Sequence, residues 1–137
     1  MAIESKFPQR FVYLAGCINW SGNCAEVSYE DLPFADRILY AWHKYIFSSS
    51  NGTYEHDWNY SVGQYPTKIV LEEWGFKMTE EEILWANQFI AWLKLTGISS
   101  NFFWTIAHSG DTGGLFDDGD CTSINWNKYQ IIKKLWT

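Results

Sequence analysis

The sequence predicts an α/β fold with about four parallel strands joined by helices and loops. Four short apolar runs recur along its 137 residues, at 10–16 (RFVYLAG), 37–43 (RILYAWH), 68–73 (KIVLEE) and 101–107 (NFFWTIA). None alternates cleanly between apolar and polar residues, so each reads as a strand buried on both faces, the mark of a parallel sheet. In the second half of the chain, strand-length runs and helical segments succeed one another as a βα repeat.

The clearest helix covers residues 80–95. Thr79 and Glu82 form a Thr-x-x-Glu capping box, and Glu80, Glu81 and Glu82 crowd the first turn, where the helix dipole favours acids. Ile83, Ala86, Phe89 or Ile90, and Leu93 recur at helical spacing, and Thr96-Gly97 supplies the stop. A second helix is expected over 125–135, with Tyr129, Ile132 and Leu135 facing inward. Residues 22–33 and 47–66 are polar and turn-rich and read as long loops, with 48–52 (SSSNG) an exposed turn. Loops of that length are often functional.

Apolar residues make up 47% of the chain and charged residues 19%, a globular composition that fits one domain over 1–137. The net charge is −6 with no Lys/Arg cluster, which argues against nucleic acid or an anionic membrane as partner. Aromatics reach 19%, including nine Trp. Core packing accounts for roughly two-thirds of them, and the rest can stack against the apolar C–H face of sugar rings. Cys17, Cys24 and Cys121 make an odd count: Cys17 and Cys24 read equally well as a short bridge or as two free thiols. No Cys/His set has zinc spacing and no phosphate-binding glycine loop occurs, so neither metal nor cofactor is expected. The start of the chain lacks an apolar signal-peptide core, and no run reaches membrane-spanning length. Asn19, Asn51 and Asn59 head glycosylation tripeptides.

Chemistry-bearing residues collect at the carboxyl ends of the four runs: Asn19 and Trp20, then His43 and Tyr45, then Glu72, Glu73 and Trp74, then Trp104 and His108. Parallel α/β folds place their sites there. Glu73, at a strand tip beside aromatics, is a candidate nucleophile or acid/base. By spacing alone it reads equally well as a solvated surface acid. In a regular strand Glu72 and Glu73 point to opposite faces, so only one of them can face a site. By itself His43 reads as a satisfied core histidine, as lone histidines usually are, and Trp104 as barrel or core packing with similar odds.

The segment Ser109-Gly110-Asp111-Thr112-Gly113-Gly114-Leu115, after Phe103-Trp104 and before Asp117-Asp118, resembles the loop following the last barrel strand of family 5 glycoside hydrolases of the cellulase type. Lys68–Gly75 resembles their seventh strand, which ends in Gly-Glu-Phe-Gly. Leu39–Tyr45 resembles the sixth-strand pattern Tyr-Ser-Pro-His-x-Tyr, and Pro8, Arg10, Val12 and Gly16 fit the fifth strand. The resemblance implies the C-terminal half of a TIM (β/α)₈ barrel, the fifth to eighth βα units. It implies that Glu73 is the catalytic nucleophile and that His43 and Tyr45 line the −1 subsite. Trp104 would stack under the −1 sugar, with Trp20, Trp74, His108 and Asp111 also binding substrate. Ala107-His108 stands where the family has Asn-Pro-Asn, Ala41-Trp42 where it has Ser-Pro, and Glu72 in the place of a small residue.

The implied activity is that of a retaining, extracellular endo-β-1,4-glucanase acting on a β-glucan polysaccharide or oligosaccharide without a cofactor. Retaining enzymes need two carboxyl groups about 5–5.5 Å apart. The family's acid/base sits in an Asn-Glu-Pro motif, which this chain lacks. The expectation is therefore a fragment whose partner is the missing N-terminal half of the barrel, inactive alone and arising from a truncated gene model. The alternative is a non-catalytic glucan-binding fragment or pseudoenzyme.

Overall fold

The computed structural model describes residues 12–46, 53–108, 110–117 and 121–137. The turn expected at 48–52, Pro8 and Arg10 of the first segment, Ser109, and Asp118 lie outside the described residues. Four strands form one sheet: β1 (Tyr13–Gly16), β2 (Ile38–Lys44), β3 (Ile69–Trp74) and β4 (Asn101–Phe103). Their order is β1-β2-β3-β4 and every neighbouring pair is parallel. Helices join β2 to β3 and β3 to β4, and with one parallel sheet the chain is half of a (β/α)₈ barrel. All four apolar runs carry a strand; the last ends at Phe103, where the chain leaves the sheet for a loop.

Helix α1 (Tyr54–Val62) links β2 to β3, α2 (Glu80–Thr96) links β3 to β4, and α3 (Trp126–Lys133) follows β4. Helix α2 has the expected ends: the Thr79 hydroxyl accepts from the Glu82 N–H at 3.3 Å, and Gly97 closes it in the left-handed conformation. The Glu82 carboxylate reaches back to the Lys77 N–H, two residues upstream of the cap. Helix α1 corrects the reading of 47–66 as loop. Thr53 caps it by accepting from the His56 N–H at 3.3 Å. Its buried face consists of Asp57, Trp58, Ser61 and Val62, half of it polar, so the apolar stripe that announces a helix is thin.

The core lies between the sheet and the helices and is largely aromatic. Phe89 of α2 is its hub, with ring centroids 4.9 Å from Trp85, 5.0 Å from Trp58, 5.8 Å from Trp42 and 5.9 Å from Trp74. These five rings are almost fully buried, which is where much of the aromatic surplus goes. The opposite face of the sheet is uncovered. Leu14 and Phe102 remain 50% and 63% exposed, and among the described residues no further strand pairs with β1 or β4. A closed barrel would bury this face and both edges.

Cys17 and Cys24 are joined as a disulfide, which resolves the bridge-or-thiols alternative in favour of the bridge. It closes the turn that follows β1. By loop-closure entropy, replacing both cysteines by Ser lowers stability by about 2 kcal/mol. Urea unfolding of the parent and the double variant measures this, and the difference disappears when the parent is reduced.

Candidate active site

The site is built at the carboxyl end of β3 by an irregularity in the sheet. Trp42 pairs with Leu71, but the next residue of β2, His43, pairs with Glu73. Glu72 is the extra residue of a β-bulge, so two residues of β3 oppose one of β2. This overturns the expectation that only one of the two carboxylates faces the site. Both meet the same imidazole: His43 Nε2 lies 3.1 Å from Glu72 Oε2, and His43 Nδ1 lies 3.7 Å from Glu73 Oε2. Each ring nitrogen of His43 thus faces a carboxylate oxygen, Nε2 at hydrogen-bond distance.

Tyr45, just beyond β2, donates its hydroxyl to Glu73 Oε2 at 3.0 Å. Glu73 Oε1 accepts no hydrogen bond among the described residues, and the side chain is 31% exposed, so one carboxylate oxygen stands open to a ligand. Burial, the hydrogen bond to Glu73, and the charges of Glu73 and Asp111 together push the Tyr45 phenol well above its ordinary value of 10.0. Tyr45 therefore remains a donor across the working pH range. Because its folded-state pKa is raised, its stabilising contribution is complete below pH 10 and is lost as pH rises through the folded value. Alkaline titration at 295 nm is expected to show a late-ionising phenol that Tyr45→Phe removes. A Tyr45→Phe curve that superposes on the parent rejects this.

Trp104 follows β4 and is 45% exposed. Its N–H donates to the Trp74 carbonyl at 2.7 Å, and its carbonyl accepts from Thr112 Oγ1 at 2.8 Å. The Trp104–Thr105 peptide bond is cis. Gly75 is required beneath it, since a Cβ there would sit 2.2 Å from the Trp104 carbonyl oxygen. Gly114 is equally constrained: its φ is +60° and a Cβ would lie 2.1 Å from the Ala107 carbonyl oxygen. Of the glycines in the 109–115 segment, Gly114 thus serves close backbone approach.

Trp20 is 95% exposed at the end of β1. It belongs to a turn in which Asn19, Trp20 and Ser21 all adopt left-handed φ values of 53°, 57° and 61°. Such conformations are costly for residues with a Cβ and persist where the surroundings enforce them. Here the disulfide and the paired Ile18 and Asn23 backbones, with both N–H···O distances 3.2 Å, close the turn. His108 and Asp111 are exposed in the loop after β4. Asp111 is near enough to Tyr45 for its charge to raise the phenol's pKa.

Trp74 is a correction. It is fully buried, its indole N–H donates to Asn101 Oδ1 at 3.1 Å, and it packs edge-on against Phe103, so it belongs to the core and not to a substrate surface. The bulge is the cause, since the extra residue turns Trp74 toward the helices. Glu72 and Thr112 are what the sequence reading missed. The signal for Glu72 was a second acid at the end of a buried run, where regular alternation would strand one carboxylate in the core. A cavity of ≈ 500 Å³ lined by Tyr54, Trp58, Gln88 and Trp92 lies in the helix layer. It is remote from these groups, because an open half barrel leaves its rim unenclosed. No group of three His, Cys, Asp or Glu side chains able to hold a metal occurs among the described residues.

No protein-family model matches the sequence, and no curated protein does either. Solved structures do. The catalytic domain of the major endoglucanase from Xanthomonas campestris pv. campestris superposes with a TM-score of 0.70 at 28% identity, over 85% of this chain and 38% of that one. A hyperthermophilic endocellulase from the archaeon Pyrococcus horikoshii gives 0.73 at 23% identity, and a cellulase–inhibitor complex 0.71 at 24%, each over 86% of this chain and 37% of the other. The chain has a partial cellulase-like fold. It spans less than two-fifths of these cellulases. The Pyrococcus endocellulase has also been solved in complex with cellotetraose.

Proposed function

We propose that this chain is the nucleophile-bearing half of a family 5 retaining glycoside hydrolase, an extracellular endo-β-1,4-glucanase. The observation that carries the reading is the Glu73 carboxylate. It ends a parallel strand, is held at Oε2 by Tyr45 with His43 alongside, and has Oε1 open. Glu73 attacks the anomeric carbon while the glycosidic C–O bond breaks, forming a glycosyl ester. Water then attacks that carbon and frees the carboxylate. The Tyr45 hydroxyl and the His43 ring fix the carboxylate's orientation before attack. Trp104 offers its exposed face to the sugar bound beside Glu73, with His108 and Asp111 in the loop that follows it and Trp20 beyond β1 at the other edge of the sheet.

The leaving oxygen needs a proton from a second carboxyl across the sugar. Glu72 shares a strand end with Glu73 and lies on the same side, so the acid/base belongs to the part of the barrel this chain does not carry. The Cys17–Cys24 disulfide supports an oxidising, extracellular setting. The lack of an acid/base favours one other reading, a glucan-binding module without turnover.

Calorimetric titration with cellotetraose tests the ligand class common to both. The chain binds, and Trp104→Ala weakens binding about tenfold, the scale of one lost aromatic platform. Equal affinity for the variant, or no affinity in the parent, sinks the assignment of Trp104 to substrate.

A further inference from the structure

We infer that Lys128 is a positioning residue for the substrate platform, fixing Trp104 through the loop carbonyls of Thr112 and Gly114; the inference rests on the glucanase reading of this rim. Lys128 occupies the third position of α3, where its own N–H is capped by Asn125 Oδ1 at 2.9 Å. A lysine in a first turn opposes the helix dipole, which favours acids there. This one is also buried, at 1% exposure. Burying an ammonium is unfavourable unless its protons are satisfied. Two unfavourable choices at one position call for something specific that they hold in place.

That something is the loop after β4. Lys128 Nζ donates to the Thr112 carbonyl at 2.6 Å and to the Gly114 carbonyl at 2.8 Å, and lies 5.4 Å from the centre of the Phe76 ring. No carboxylate lies within ion-pair distance of it among the described residues, so its short contacts are to loop carbonyls and an aromatic face. Gly113 lies between the two carbonyls at φ +74°, and a Cβ there would come 3.4 Å from Nζ. With its carbonyl held, Thr112 is itself buried and directs Oγ1 to the Trp104 carbonyl at 2.8 Å. Gly75 lies against the same pair, since a Cβ there would come 2.2 Å from the Trp104 carbonyl oxygen and 2.8 Å from Thr112 Cγ2. The path from ammonium to platform is thus Lys128, Thr112, Trp104, each step a short hydrogen bond. Asp111 precedes Thr112 and travels with the same loop. Burial also lowers the ammonium's pKa, with Asp117 and Glu82 opposing the shift.

The test uses the full chain labelled with 5-fluorotryptophan, the Trp104 resonance being identified by its loss in Trp104→Phe. In Lys128→Met the Trp104 signal is expected to shift or broaden while the buried Trp42 and Trp85 signals stay in place, and cellotetraose affinity falls by up to the roughly tenfold of Trp104→Ala. Thr112→Val keeps the lysine and removes only the hydroxyl, and it should perturb the same single resonance. It carries the test if Lys128→Met does not fold. A merely structural lysine would disturb the core signals together with Trp104 or leave all of them unchanged. An unmoved Trp104 resonance in Thr112→Val and in folded Lys128→Met overturns the inference. A parent that ignores cellotetraose while both variants move Trp104 keeps the positioning role and discards the glucan reading instead.

Discussion

Replacing Glu73 by Gln should abolish turnover once the barrel is complete. The chain is joined behind the first four βα units of a cellulase barrel, which bring the second carboxyl, and hydrolysis of a cello-oligosaccharide is followed. Glutamine keeps the shape and the Tyr45 contact but cannot form the glycosyl ester, so the rate falls on the order of 10⁴-fold or more, as when other enzymes lose a nucleophile. Glu72→Gln is the informative control, because Glu72 touches the same imidazole at 3.1 Å. It loses one charge-assisted hydrogen bond that acts through His43, and the expected loss is about tenfold. A 2-deoxy-2-fluoro cellobiosyl fluoride sharpens the distinction. Its fluoride leaves without acid assistance and its glycosyl ester turns over slowly, so mass spectrometry should find the adduct on Glu73. An adduct on Glu72, or equal losses in the two variants, assigns the chemistry to the wrong carboxylate.

What the sequence made legible was whatever depends on local pattern. The four runs marked the strands because a parallel strand covered by helices must be apolar along most of its length. Helix α2 was readable from Thr79 and Gly97, since caps are chemical requirements of helix ends. The resemblance in the 109–115 segment placed Trp104 and Glu73 at neighbouring strand ends. What escaped depends on pairing between distant segments. The bulge at Glu72 is set by how β3 meets β2, and a period-two argument assumes that it is absent. One extra residue then put Glu72 into the site and took Trp74 out of it. Helix α1 escaped for a related reason: Asp57 and Ser61 look like solvent-facing residues until Lys44 arrives from β2. The Cys17–Cys24 bridge stayed one of two alternatives, because an odd number of cysteines does not say which of them pair.

That buried pair makes the second large effect. Lys44 Nζ lies 2.6 Å from Asp57 Oδ2, with side chains 1% and 4% exposed, and Ser61 Oγ adds a contact at 3.4 Å. Lys44 stands between His43 and Tyr45 in sequence but faces the helices, so the pair fastens α1 to the strand whose end orients Glu73. Asp57→Ala leaves the ammonium in the core without its counter-ion, and the expected loss is about 3–5 kcal/mol at pH 7. Exchanging both partners for apolar residues, Lys44→Met with Asp57→Leu, costs far less, because no charge is then left buried. The two results together separate the strength of the pair from the cost of breaking it. pH gives an independent check. Burial lowers the Lys44 pKa below its ordinary 10.5, and Asp57 opposes that shift. Without Asp57 the folded state releases the proton at lower pH while the unfolded state holds it to 10.5, so the unfolded state binds more protons across that window. Stability of Asp57→Ala must then rise between neutral pH and pH 10 relative to the parent. Urea unfolding at pH 7 and pH 9.5 reads both effects. A variant within about 1 kcal/mol of the parent at pH 7, the scale of an exposed ion pair, would show that water reaches Lys44 and that the α1–β2 junction is looser than its geometry requires.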